Sequence, residues 1–255
     1  MSKAKLSKEE CLAKFVHVNT MLSAAFRELE RELPGPVLVS TPHGLAPRYQ
    51  SPLLEHALLM KLARLISVLW SMRLLVETGQ VHEQGILQRV ADEAGEDIIF
   101  LALGKQNGQL AIHRRYLTHF WREEFETGAD PQTYKIRHMV KRSEIQDYIS
   151  KNSPPPATIP SGVSRMVYGV FSGFVHGAST HIFDLVDLRT GLYRLNGLTE
   201  ISDRLGYLRN ALNYPLRGLM AGVVVARSLG HAAAADLLLK EVTRLEEWMD
   251  EHAND

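Results

Sequence analysis

The chain has 255 residues, 45% of them apolar and 23% charged, with 29 basic side chains against 29 acidic ones. That composition excludes a disordered chain and allows a full core, and a net charge of zero excludes a global field for nucleic acid or a membrane surface. The single cysteine, Cys11, excludes an internal disulfide and a cysteine-based zinc site, in keeping with a cytoplasmic location.

The opening MSKAKLSKEE is charged and leads into no apolar signal-peptide core. Ser7 and Glu10 match a capping box, and the apolar period after them predicts a helix from Ser7 to Leu33, ended by Pro34, Gly35 and Pro36. Val37 to Gln50 holds Pro42, Gly44 and Pro47 and is expected to be a surface loop with an extended piece at Val37–Val39. Ser51-Pro52 is a good helix start. The helix it opens runs to about Thr78, stops at Gly79, and is apolar almost all round from Leu53 to Leu75, so it is predicted to be central.

Further helices are predicted at Glu83–Leu103, Gln109–Glu126 and Gln132–Ser150, with Trp121 and Phe125 as large core candidates. Asn152–Pro160 holds Pro154, Pro155, Pro156 and Pro160 and reads as a stiff loop. The next helix is predicted from Ser161 to His181 and, like Leu53–Leu75, to be central; a small β-hairpin is predicted around Thr190-Gly191, and helical structure from Thr199 to Leu212, broken or kinked at Pro215. The Leu216–Leu229 stretch reads as a buried helix, since Arg217 and Arg227 interrupt it and no run reaches membrane-spanning length. His231–His252 reads as a final amphipathic helix. The expected fold is all-α, one domain of about seven or eight helices.

The Ser161–His181 stretch carries the strongest pattern. On a wheel of about 100° per residue, Tyr168, Ser172, His176 and Ser179 fall within about 60° of Arg165. Met166, Val167, Val170, Phe171, Phe174 and Val175 fall on the other side, which predicts an apolar face turned to the core. Gly169, Gly173 and Gly177 recur at four-residue spacing and predict close approach of a neighbouring backbone. Ser172 and His176 are neighbours at i, i+4. Histidine suits general acid–base work and arginine suits an anion, so His176, Arg165 and Ser172 are the catalytic candidates. The same stripe serves equally as a polar seam against another helix.

Arg89 and Glu93, followed by Glu96 and Asp97, form a second polar line. They read either as an intrahelical ion pair or as a cluster in which Glu93 meets Arg165 or His176. ILQRVADEAGEDIIFL and YGVFSGFVHG together resemble an uncharacterised family of bacterial all-helical proteins, in which one helix carries R-x3-E and a later one Y-x3-S-x3-H. The matching positions are Arg89 and Glu93, then Tyr168, Ser172 and His176. The resemblance implies the fold and this choice of residues, and brings no activity. Arg114 and His119 fit the R-x(4–6)-H spacing of the HEPN helical ribonucleases, which cleave RNA without a metal and usually as dimers.

Lys135, Arg137, Lys141 and Arg142 form a basic patch, the one place where nucleic acid is expected to bind if it binds at all. No metal-ligand spacing, phosphate loop or dinucleotide fingerprint occurs, so no metal and no cofactor is expected. Two functions follow. The first is a helical protein binding a partner or a small anion at a polar pocket of Arg89, Glu93, Arg165, Tyr168, Ser172 and His176. The second is a metal-independent HEPN-type nuclease, in phage defence or a toxin system, using Arg114 and His119 or Arg165 and His176. The sequence allows a homodimer and predicts no membrane contact.

Overall fold

The structure is a computed structural model that describes residues 7–41, 44–121, 140–154, 161–197 and 207–252. The architecture is all-α: nine helices and two small antiparallel hairpins among the described residues. In chain order these are α1 (Lys8–Glu30), β1 (Val37–Thr41), β2 (Gly44–Arg48), α2 (Leu54–Thr78), α3 (Val81–Gln106), α4 (Ala111–Phe120), α5 (Arg142–Asn152), α6 (Ser161–Val175), α7 (Ser179–Phe183), β3 (Val186–Asp187), β4 (Leu192–Tyr193), α8 (Asn213–Ser228) and α9 (Ala232–Glu251). Phe125 and the first part of the helix predicted over Gln132–Ser150 lie outside the described residues, as does most of Thr199–Leu212.

Helix α1 starts where its capping box places it, with Ser7 Oγ accepting from the Glu10 N–H at 3.2 Å and Glu10 Oε2 accepting from the Ser7 N–H at 2.9 Å. Helix α2 starts two residues after Pro52, and the Leu53 N–H donates to His56 Nδ1 at 3.0 Å. It ends on Gly79 in the left-handed region, φ 82°. Because α2 is apolar almost all round, it can be buried on every side but one, a stripe of Met60, Arg64, Ser67, Ser71 and Leu74 staying exposed. It packs against α1, α3 and α8, and Leu58, Leu62, Leu69 and Met72 are fully enclosed. Phe15 and Leu22 of α1, Ile98, Phe100 and Leu101 of α3, Leu219 and Val225 of α8 and Leu238 of α9 complete the core.

Five expectations need correction. Residues 37–41 and 44–48 are paired strands, β1 on β2 with Leu38 opposite Pro47 and Ser40 opposite Leu45, rather than a loop with one extended piece. Pro47 is tolerated because both strands are edges. Helix α8 begins at Asn213, so Pro215 lies in its first turn, where a missing N–H costs little, and it breaks nothing. The smaller hairpin sits where Thr190-Gly191 predicts it, with Val186 opposite Tyr193.

The other three corrections concern α6. It stops at Val175, six residues short of the prediction, because Gly177 turns left-handed at φ 61° and α7 follows separately. It is also peripheral, not central: it packs on α3 and α5 and has no fully buried residue among those described. Its glycines do not form a ridge for a neighbouring backbone. A Cβ on Gly169 would meet nothing within 4 Å, and one on Gly173 would strike the His181 ring. The close approach occurs on α8 instead. A Cβ on Gly218 would lie 2.6 Å from Leu69, and one on Gly222 would lie 2.7 Å from Leu22 and 2.9 Å from Leu238.

Candidate functional site

Helix α3 is the polar hub of the molecule. Four of its carboxylates, Asp92, Glu93, Glu96 and Asp97, fall within one and a half turns and so reach several neighbouring helices. Asp97 is almost fully buried, and accepts from Arg142 NH1 of α5, Lys61 Nζ of α2 and the Tyr116 hydroxyl of α4, each at 2.7 Å. Glu96 Oε1 accepts from Gln146 Nε2 at 3.0 Å and its other oxygen lies 3.4 Å from Arg142 NH1. Asp92 takes Arg217 of α8 and, at 3.5 Å, the Tyr214 hydroxyl. Glu93 Oε1 accepts from Arg89 Nε at 3.0 Å, and its second oxygen is 4.0 Å from Arg142.

Burial pushes the Glu96 and Asp92 carboxyls above their ordinary pKa, with the neighbouring Gln146 and Arg142, or Arg217 and Tyr214, pulling the other way. Burial also works against the Arg142 charge. Asp97, Glu96 and Glu93 outweigh it and raise the Arg142 pKa. Arg142 is therefore no part of a free basic patch. Its predicted companions divide: Lys141 is exposed, while Lys135 and Arg137 lie outside the described residues.

The R-x3-E and Y-x3-S elements meet at the α3–α6 contact. Arg89 NH1 donates to Ser172 Oγ at 3.3 Å and NH2 donates to the Tyr168 hydroxyl. The guanidinium carbon also stands 4.3 Å from the centre of the Tyr168 ring. The structure thus gathers Arg89, Glu93, Tyr168 and Ser172. It does not bring Arg165 or His176 to them. Arg165 pairs with Asp147 of α5 across a half-exposed contact. His176 is exposed just beyond the end of α6, where its backbone N–H donates to the Ser172 carbonyl at 3.0 Å. Glu93 accordingly pairs with Arg89 and Arg142 rather than with Arg165 or His176. Arg114 and His119 also stay apart: Arg114 NH1 donates to the Gln109 carbonyl at 2.6 Å, and the half-buried His119 lies five residues on, about 140° round the helix.

Gly85, His82 and His181, which the sequence patterns do not single out, complete the contact around Phe174. Phe174 lies against Gly85 of α3, where a Cβ would come within 2.8 Å of its ring. The His181 ring stacks on Phe174 at 4.0 Å and His82 meets it edge-on at 5.3 Å. The gap at Gly85 is the signal that could have found this site, since a glycine inside a helix costs about 1 kcal/mol and implies a ring or backbone needing the space.

With Tyr168, Ser172 and Phe174 turned inward, the rest of α6 turns outward. Met166 is 64% exposed and Val170 49%, and Val163 and Gly169 share that arc. Phe183, Leu188, Leu192 and Leu195 in the segment that follows are exposed as well. Among the described residues no helix is long and apolar enough to cross a membrane, and no group of three metal-ligating side chains could hold a metal ion. No protein-family model, curated protein sequence or solved structure matches the chain.

Proposed function

We propose that this chain is a helical binding protein whose partner surface is the outward arc of α6 and the segment that follows it, with the Arg89 cluster as the clamp that presents it. One observation carries this reading. An amphipathic helix ordinarily turns its apolar side to the core and its polar side to water. Helix α6 is rolled away from that arrangement: Val167, Phe171 and Phe174 are partly buried, but Tyr168 and Ser172 are turned in beside them and tied to Arg89, which leaves Met166 and Val170 in solvent. Exposed apolar surface on this scale marks interaction sites.

A small anion is the weaker half of the expectation. The four carboxylates of α3 face four cations, Lys61, Arg89, Arg142 and Arg217, so no surplus positive charge is left there for an anion. The nuclease alternative asks for an arginine beside a histidine, and Arg114 and Arg165 are held instead by Gln109 and Asp147.

The test is a photo-reactive residue at position 166, introduced into the full chain in its native host. Illumination is expected to give a discrete protein adduct, absent when the same residue replaces Lys240 on α9. Absence of any adduct from positions 166 and 170 overturns the reading.

A further inference from the structure

Resting on the reading of α6 as a partner surface, we propose that the partner is a second copy of this chain, with two α6 helices crossing near Gly169 about a twofold axis. The first argument is area. Ten large apolar side chains between Val163 and Leu195 are exposed, from Ile182 at 37% to Leu188 at 93%. Together they offer on the order of 1,000 Å² of accessible surface, against about 800 Å² buried per partner in a standard stable interface.

The second argument is charge. Within this run every described cation already has a carboxylate from the same chain. Arg165 meets Asp147, and Arg189 and Arg194 meet Asp187 at 3.4 Å. Nucleic acid and anionic lipid are drawn by surplus positive charge, which this surface lacks. A neutral surface on a chain of zero net charge can meet its own copy without like-charge repulsion.

The third argument is shape. A twofold contact must be self-complementary, so that each residue has its counterpart across the axis. On the exposed arc Met166 and Val170 stand at i−3 and i+1 from Gly169, where nothing lies within 4 Å of a would-be Cβ. Antiparallel copies whose axis passes midway between Met166 and Val170, within one residue of Gly169, therefore place Met166 of one beside Val170 of the other, twice, with a gap at Gly169 that allows the backbones to approach. Methionine is enriched in such interfaces.

The experiment is light-scattering mass measurement of the purified full chain from low to high micromolar concentration. The expected mass is twice the 28.7 kDa chain. Met166→Asp combined with Val170→Asp, and separately Gly169→Leu, are expected to weaken the dimer about tenfold or more while leaving the helical circular-dichroism signal unchanged. Leu45→Asp on the β1–β2 hairpin, also well exposed, is expected to change nothing. A wild-type monomer at every concentration, or a dimer that survives both α6 variants, overturns the proposal. The adduct from position 166 separates the two readings: an adduct of twice the chain mass supports the dimer, whereas an adduct of another mass overturns the dimer and leaves the binding surface standing.

Discussion

Arg89 covers the ring of Tyr168, its guanidinium carbon 4.3 Å from the ring centre, and bonds the hydroxyl of the same residue. This contact, with Ser172 beside it, decides which side of α6 faces the protein. Tyr168→Phe keeps the ring and removes one hydrogen bond, so it is expected to cost about 1 kcal/mol. Arg89→Met removes the donors to Tyr168, Ser172 and Glu93 together and is expected to cost roughly 2 kcal/mol or more. Combining the two should cost less than their sum, because they break a shared contact. Urea unfolding measures the energies. Hydrogen exchange over residues 164–172 should show faster exchange in both variants, and equal protection there would remove the clamp role from Arg89.

Arg142 holds α5 in place. That helix has one fully buried apolar residue, Ile145, and docks largely through Arg142 on Asp97, Gln146 on Glu96 and Asp147 on Arg165. Arg142→Met leaves Asp97 with Lys61 and Tyr116 but takes away the cation beside Glu96 and Glu93. It is therefore expected to destabilise the protein by roughly 2 kcal/mol. Arg142→Lys should recover only part of this, since an ammonium cannot span Asp97 and Glu96 as a planar fork does. Urea midpoints of the three proteins decide this, and a Lys variant as stable as the parent would show that charge alone suffices.

Two kinds of buried group give the stability curve opposite slopes with pH. His113 is buried against Phe100, ring centroids 4.3 Å apart, and burial lowers its pKa from 6.5, the backbone of Phe100 and Leu110 working the other way. The unfolded chain then takes the proton first, so stability present above pH 6.5 is lost as pH falls below it. Glu96 and Asp92 behave oppositely: burial raises both, the folded state takes the proton first, and stability is gained as pH falls through their folded pKa values and lost as it rises through them. His113→Leu should flatten the loss below pH 6.5. Glu96→Gln should be at least as stable as the parent at pH 7 and should lose part of the gain on acidification. Melting temperatures between pH 4 and 8 test both signs at once.

Local signals in the sequence specify much of the fold. Ser7 and Glu10 mark the start of α1, Gly79 marks the end of α2, and the all-round apolar character of α2 marks it as central. The pattern also singles out Arg89, Glu93, Tyr168 and Ser172, which the fold gathers. The orientation of α6 is a different matter. A helical wheel separates two faces but does not fix the roll of the helix, and here Arg89 on α3 draws Tyr168 and Ser172 inward beside Phe171 and Phe174, which turns Met166 and Val170 out. Arg142 reads as a solvated base because its partners, Glu96 and Asp97, lie some 45 residues away in sequence. The i, i+4 glycine spacing is the same on α6 and α8, and only the packing of Leu22, Leu69 and Leu238 shows which pair is used.

That last difference separates the glycines experimentally. At Gly222 a new Cβ would fall between Leu22 and Leu238, and at Gly218 it would press on Leu69, all inside the enclosed core. The leucines cannot move without displacing α1, α2 and α9, so Gly218→Ala and Gly222→Ala are each expected to cost about 1–3 kcal/mol despite the better helix propensity of alanine. At Gly169 the space is open, and the propensity gain stands alone. Gly169→Ala is expected to stabilise the chain by up to about 1 kcal/mol at concentrations where it is monomeric. Urea unfolding of the three single variants gives the ranking. A gain at Gly218 or Gly222 would mean that α8 can move away from its neighbours. A loss at Gly169 would mean that something already covers the outward arc of α6, and a second copy of the chain would produce that loss only at concentrations where the dimer forms.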